Sequence, residues 1–457
     1  KQLGQLKISI VLFLSLRTGI ITGLVRYSDF RSKSPVIIPI LGDQGFLPRR
    51  DPDWLKLAPT QDKAFILMGG AAHISHVLDD NKPGYSERFK GLRLFFNVTL
   101  AYHVSQNSSS GTQVIMPSAH EAHSALEKLP KVELHCHLEA CFRRQTMMAL
   151  GASLGLDAPQ NVKEFCAEWL LTEPEKNLAV ALQKFSNIQS VWANESIIER
   201  LTYEACEYGY NQGIKIFELR YSPDFIAAGH PELTFDKIHR AIVAGIERAS
   251  HLDIAVGLIG IVQKTLPTKQ AAYTGDFIAA HNDTFVGIDM ADQDIGDEIM
   301  RFAPIIEKAR AAGLHFTTHA GEEPVPDAPR HVYEAIEHLG AERIGHGIHI
   351  IRDSAVMDYV IEKGVMLEVC PTSNWLTSSV PSTAEHPVRR LMEAGVQVSI
   401  NSDDPGLFDI DLCHEYALMQ SEHNFSVAEF DRCNDLAASH SFIAPERKQA
   451  VWPRPIE

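Results

Sequence analysis

From Lys131 onward the chain alternates short, β-branched apolar runs with longer stretches of helical character. The runs are Val132 to His137, Ile214 to Tyr221, Ile254 to Val262, Phe285 to Met290, Leu314 to His319, Arg343 to His346, Val365 to Cys370 and Val396 to Ser402. Their length and their β-branched content predict strands. Between them, Ile197 to Gln212, Phe235 to His251, Ile299 to Ala312, Val332 to Gly340, Ala355 to Lys363 and Val388 to Ala394 predict helices, several of them ending in or followed by glycine. Eight β-then-α units favour a TIM-type (β/α)8 barrel; a doubly wound open sheet is the alternative that strand count alone leaves. A barrel places the C-terminal ends of all its strands on one face.

Residues 1–115 carry no comparable periodicity. An apolar stretch from Ile8 to Val25 is broken by Arg17, and a polar tract follows from Ser105 to Gly111. The run Ile8 to Leu16, with Lys1 and Lys7 before it, has the form of a signal h-region, so secretion directed by residues 1–25 is one alternative. Against it, the run has only nine residues before Arg17 and no A-x-A site follows closely, and a spanning helix needs about 20 apolar residues. No membrane association is expected. The first methionines are Met68 and Met116. The expectation is therefore an N-terminal extension at 1–115, disordered or not native, ahead of a barrel at 116–457; the intact mass of the natural protein tests it.

Composition narrows the partners. The chain has 457 residues, 45% hydrophobic and 22% charged, with 58 acidic against 42 basic residues and a formal net charge of -16. That balance is globular and argues against a nucleic-acid or anionic-membrane surface, which needs clustered Lys and Arg. A small neutral or cationic ligand is easier to accommodate; the oligomeric state is open. Seven widely spaced cysteines, none before Cys136 and no C-x-x-C pair, make neither a disulfide framework nor a thiolate zinc site, and reduced thiols in a cytoplasmic setting are the default reading.

The polar residues fall where a barrel would use them. The first strand ends in His135-Cys136-His137, and alternation turns both imidazoles to one side. The fifth ends in Thr318-His319-Ala320-Gly321-Glu322-Glu323, the sixth in Gly345-His346-Gly347, the seventh in Glu368-Val369-Cys370-Pro371-Thr372-Ser373-Asn374, and the eighth in Ser402-Asp403-Asp404-Pro405. Each piece alone has an ordinary reading, as a polar strand end or a turn. Their coincidence at the ends of different strands points to one metal site in the barrel mouth. Histidines with carboxylate and no thiolate suit zinc, although iron, cobalt or manganese accept the same donors.

The segment Lys131-Val-Glu-Leu-His-Cys-His-Leu-Glu139, His319-Ala-Gly-Glu322, Arg343-Ile-Gly-His346-Gly and Ser402-Asp403-Asp404-Pro405 resemble the adenosine deaminase family of zinc-dependent purine deaminases, in family order, over about residues 128 to 445. The resemblance implies a single barrel, one zinc ion and hydrolytic loss of the C6 amino group of a purine as ammonia. It implies His135, His137, His319 and Asp403 as metal ligands and Glu322 as proton donor to the purine ring. It further implies His346 as the residue that orients or deprotonates the metal-bound water, and Asp404 as a second contact to that water or to the purine. Zinc lowers the pKa of bound water to about 7, and C6 needs its developing charge quenched by protonating a ring nitrogen. Cys370 to Asn374 also resembles the family and is expected to be loop scaffolding. Cys136 is expected to point away from the metal.

Two positions depart from the family pattern. Glu139-Ala140 stands where adenosine deaminases usually carry Asp-Gly, the Asp helping to hold the ribose; Glu also occurs in the adenine-deaminase branch, and Ala140-Cys141 faintly resembles AMP deaminase. Asp292 stands where a glycine commonly presents its backbone to the purine. Both Glu139 and Asp292 are expected on the substrate. The expected reaction is deamination of adenosine or 2′-deoxyadenosine, a purine nucleoside, with adenine or a modified aminopurine as alternative ligand. A catalytically silent metal-binding module is disfavoured by Glu322, His346 and Asp404, which zinc binding alone does not require. A two-metal amidohydrolase with a bridging lysine is weaker still, because no lysine is evident at a strand end.

Overall fold

The computed structural model describes the backbone of five strands in the N-terminal part, and residues 126–456 apart from 176, 177, 294 and 295; side chains at 178–182 and 296–298 are also left aside. The chain divides into two compact units, Lys1–Val114 and Ile115–Glu457. In the first, strands Leu6–Leu14, Ile21–Ser28, Val36–Ile37, His73–Ser75 and Leu94–Leu100 form an antiparallel sheet with Leu6–Leu14 at its centre, flanked by Ile21–Ser28 and Leu94–Leu100. The sequence had given no strand periodicity there.

The second unit is the expected barrel. Its strands are β1 (Lys131–His137), β2 (Ile214–Tyr221), β3 (Ala255–Gln263), β4 (Phe285–Ala291), β5 (His315–Ala320), β6 (Arg343–His346), β7 (Met366–Val369) and β8 (Val398–Ile400), all parallel and in sequential order. Alternation explains the strands: on β2, Phe217, Leu219 and Tyr221 join the apolar layer under the helices, while Glu218 and Arg220 turn the other way. The barrel closes where β8 meets β1. Asp403 N–H donates to His135 O at 3.0 Å and His137 N–H donates to Asp403 O at 2.8 Å. Below that bridge β8 is too short to pair, and side chains take its place: Asn401 Oδ1 accepts from Leu134 N and Asn434 Oδ1 accepts from Val132 N. Every edge amide of a closed sheet needs such a partner.

Helix boundaries follow local chemistry. The Ile197 to Gln212 helix begins at Glu195, because Asn194 caps it by accepting from Ile197 N–H. The expected Ile299 to Ala312 helix splits into a 3-10 turn, Gly296–Phe302, and a helix Ala303–Ala311, since Pro304 cannot continue an existing ladder but starts a new one well. Three helices between β1 and β2, Arg144–Ser153, Val162–Trp169 and Leu178–Gln189, were not evident in the pattern. At the N-terminal ends of the strands, His440–Ile443 lies across the barrel: His440 O and Phe442 meet Arg343, and Ser441 and Phe442 N–H bind Glu218. That leaves the C-terminal mouth open. Among the described residues no helix is long and apolar enough to cross a membrane.

Candidate active site

A cavity of about 710 Å³ opens at the C-terminal mouth, within the range of small-molecule sites. Leu171, Phe185, Ile188, Phe225, Leu407 and Phe408 form apolar wall, and the first three of these come from the long excursion between β1 and β2. Its floor is polar. Glu139, Asp292, Glu322, Glu323, Asp403 and Asp404 line it together with His137, His319 and His346.

Four ring and carboxylate atoms converge on this floor. His319 Nε2 lies 3.1 Å from His135 Nε2 and 3.4 Å from His137 Nε2. Asp403 Oδ1 lies 3.3 Å from His135 Nε2 and 3.2 Å from His137 Nε2. A tetrahedral site with bonds near 2.0–2.1 Å has edges of about 3.4 Å, so these contacts have the spacing of one ligand shell. His346 Nε2 stands 3.8 Å from Asp403 Oδ2 and groups with His135, His319 and Asp403, while His137 also groups with Asp403 and Asp404. A set drawn on ligand-atom proximity thus contains His346, which the sequence reading kept apart from the ligands.

The rings are oriented from behind. His135 Nδ1 is 2.8 Å from Glu368 Oε2, and His319 Nδ1 is 3.2 Å from Asp289. Burial opposes ionisation of Glu368, but Arg220 and Arg343 outweigh it and hold the carboxyl well below its usual range. For Asp289, likewise, His319 and Arg220 outweigh burial and lower it. With both carboxylates ionised, each ring gives them its Nδ1–H, and the Nε2 lone pairs of His135 and His319 face one another at 3.1 Å. Two lone pairs at that distance repel unless a cation lies between them, which is the physical reason this donor set fits a metal.

The sequence reading missed the layer that does this. Arg220 donates to Asp289 at 2.8 Å and Glu368 at 2.7 Å; Arg343 donates to Glu368 and Glu218, each at 2.6 Å; all five side chains are fully buried. With Asp403, four carboxylates face two guanidinium groups, an excess of two negative charges that complements a divalent cation. The available signal was Glu218-Leu-Arg220, charged at i and i+2 on an apolar strand. The absence of a strand-end lysine also needs correcting. Lys264 follows β3 directly and is buried, but its ammonium donates to the carbonyls of His319, Asp292 and Gln293.

Backbone strain gathers at the same place. Among the described non-glycine residues with positive φ, Asp292 (88°), His346 (61°) and Asp403 (61°) each end or follow a barrel strand at the mouth. Gly345 is required by close approach, since a Cβ there would sit 2.9 Å from His135 Cε1. The chain at Asp292 keeps the conformation a glycine would adopt, and the Asp side chain turns to Thr265 and to Gln293 N–H. Asp292→Gly is accordingly expected to be more stable than Asp292→Ala by about 1 kcal/mol, because only Ala retains a Cβ in the left-handed region. Urea unfolding of the two variants checks this; equal stability would contradict a left-handed backbone at this position.

The remaining expected residues also reach the mouth. Glu322 Oε2 is 3.5 Å from His346 Nε2, and the Thr377 hydroxyl donates to Glu322 Oε1 at 3.1 Å. Glu139 Oε1 accepts from Ser222 N–H at 2.6 Å, and its buried Oε2 has no protein partner. Burial raises Glu139 to about 7; burial and the adjacent Asp403 raise Asp404 to about 8. Burial lowers His319 to about 3 and lowers His346. Cys136 is buried and Cys370 gives its thiol to Glu368 O, so neither faces the cavity.

Comparison with known proteins agrees with this geometry. The family described as Adenosine deaminase matches residues 130–454. An adenosine deaminase of Plasmodium falciparum is 33% identical over 334 residues, 72% of this chain and 90% of that protein. One from Serratia proteamaculans is 34% identical over 326 residues, 71% of this chain and 97% of that protein. Among solved structures, the N6-methyl-AMP deaminase of Arabidopsis thaliana aligns with a TM-score of 0.61 at 25% identity, over 72% of this chain and 96% of that one.

Proposed function

Because this chain belongs to the adenosine deaminase family, we propose that it hydrolyses the C6 amino group of adenosine and 2′-deoxyadenosine, giving inosine or 2′-deoxyinosine and ammonia. It is an enzyme, a deaminase of adenosine-like substrates. The observation that carries the finer reading is the convergence of His137, His319, Asp403, Glu322, His346 and Asp404 on the floor of one cavity, with His135 in the same ligand cluster.

His135, His137, His319 and Asp403 would hold a single zinc ion, which supplies a Lewis acid that makes hydroxide available from water near neutral pH. The residues around it then manage protons and position. Addition of an oxygen to C6 moves an electron pair onto N1, and Glu322 delivers the proton that N1 takes. The Thr377 hydroxyl on Oε1 fixes the rotation of that carboxyl, leaving Oε2 to face the mouth. His346, at the same centre, orients or deprotonates the attacking oxygen. Asp404 contacts that oxygen or the purine. Loss of ammonia restores the aromatic ring, so one water is consumed for each ammonia released. Leu171, Phe185, Ile188, Leu407 and Phe408 exclude solvent from the bound ring. Asp292 lines the cavity, where its backbone can meet the purine edge.

A nucleoside is favoured over a nucleotide by charge. Six acidic side chains and no lysine or arginine stand among the described lining residues, so the lining offers no side-chain cation to receive a phosphate. The unpartnered Glu139 Oε2 suits a sugar hydroxyl, which adenine lacks. The test is an ammonia-release comparison of kcat/KM for adenosine, 2′-deoxyadenosine, adenine and AMP. The nucleosides are expected to lead, with AMP lower for want of a cation at its phosphate; faster turnover of AMP or adenine would overturn the nucleoside reading.

A further inference from the structure

We infer that His386 and Asn374 are positioning residues that hold His346 in one tautomer, its proton on Nε2, so that the ring offers the reacting oxygen a donor and not a base. The inference rests on the place at the reacting centre that the proposed function gives His346.

The hydrogen-bond chain starts at a backbone amide, which can only donate. Val388 N–H donates to His386 Nδ1 at 3.1 Å, so a neutral His386 carries its proton on Nε2. Burial, with His423 and His346 nearby, pushes His386 down to about 3, which keeps it neutral. His386 Nε2–H then donates to Asn374 Oδ1 at 3.1 Å, which settles the carboxamide's orientation. The amide Nδ2–H2 is left facing His346 Nδ1, also at 3.1 Å, and that nitrogen must accept. Only Nε2 remains for the ring proton of a neutral His346. It points at Glu322 Oε2, 3.5 Å away, and at Asp403 Oδ2, 3.8 Å away.

Reversing the chain is costly. It would turn Asn374 Oδ1 towards His346, give His386 a proton on Nδ1, and set that donor against Val388 N–H at 3.1 Å. All three side chains are buried, so no water substitutes for a lost partner. The consequence is chemical. Such a His346 aims no lone pair into the cavity, because its one basic lone pair, on Nδ1, is occupied by Asn374. Of the two roles open to it, orienting the oxygen and stabilising its charge is the one this wiring serves. The loop from Cys370 to Asn374, read from sequence as scaffolding, thereby acquires a part in the chemistry.

The test uses the full zinc-loaded chain with 15N-labelled histidine and long-range proton–nitrogen correlation spectra, the His346 signals being assigned by their loss in His346→Gln. A pyridine-type Nδ1 and a pyrrole-type Nε2 are expected for His346 in the wild type. Asn374→Asp places an isosteric acceptor against Nδ1; the ring proton is expected to move to Nδ1 and kcat to fall about 10–100-fold, with KM changing far less. His386→Leu should lower kcat similarly, and His386→Gln, which keeps a donor for Asn374, should recover most of it. A wild-type His346 protonated on Nδ1 overturns the inference, as does an Asn374→Asp protein with unmoved shifts and unmoved kcat. Should the leucine variant misfold, the wild-type and Asn374→Asp spectra decide alone. Failure to turn over adenosine would remove the proposed function instead, leaving the tautomer to stand or fall on its spectrum.

Discussion

Glu322→Gln is expected to retain zinc at the wild-type level and to lose about 10²–10⁴-fold in kcat for adenosine, the span of a general acid. Glutamine preserves the shape of the side chain and the Thr377 hydrogen bond, which uses Oε1. What it removes is the proton that N1 must take when an oxygen adds to C6. Glu322 Oε2 stands 3.5 Å from His346 Nε2, and Glu322 is not one of the four assigned ligands. Metal content by atomic emission and initial rates of ammonia release separate the two effects. A variant with full zinc and undiminished kcat would refute the assigned proton donor.

His319→Ala should act at the other end of the site, losing the metal and turnover together. His319 touches both other ligand histidines, at 3.1 and 3.4 Å, and spans the centre of the cluster. Removing it leaves two imidazoles and one carboxylate around a site charge-balanced for a dication. The fall in zinc affinity should exceed the ~10–100-fold that loss of an outer partner costs. Asp289→Asn supplies that milder comparison, since it weakens the acceptor shared by His319 Nδ1 and Arg220 and leaves all four ligands in place. Zinc titration against a competing chelator gives both values; a His319→Ala protein that binds zinc like the wild type contradicts the ligand assignment.

Much of this could be read along the chain. The eight strands lay within a few residues of their final positions because each is an apolar run ended by chemistry, and β1 to β8 carry those ends to one mouth. His135, His137, His319, Asp403, Glu322, His346 and Asp404 were legible because each closes a strand. The buried charges were not. Glu218, Arg220, Asp289, Arg343 and Glu368 sit within strands, where a single polar residue looks like an interruption, and only three-dimensional pairing makes their burial tolerable. Asn374 and His386 were hidden for a related reason. Their meaning lies in the direction of three hydrogen bonds, which begins at the Val388 amide and has no signature in residue spacing. Lys264 was overlooked because it stands one residue beyond Gln263, the end of β3, and its service to three carbonyls is a property of neighbouring loops.

On the proposed function, this cavity hydrolyses a purine nucleoside at C6 with the help of a metal held by His135, His137, His319 and Asp403. The most direct measurement is ammonia release from adenosine by the full chain, before chelation, after it, and after zinc is returned. One ammonia for each inosine formed is expected, with loss of that activity on removal of the metal and its return with zinc. Activity that survives complete removal of metal, or a zinc-loaded chain that releases no ammonia from adenosine, would contradict it.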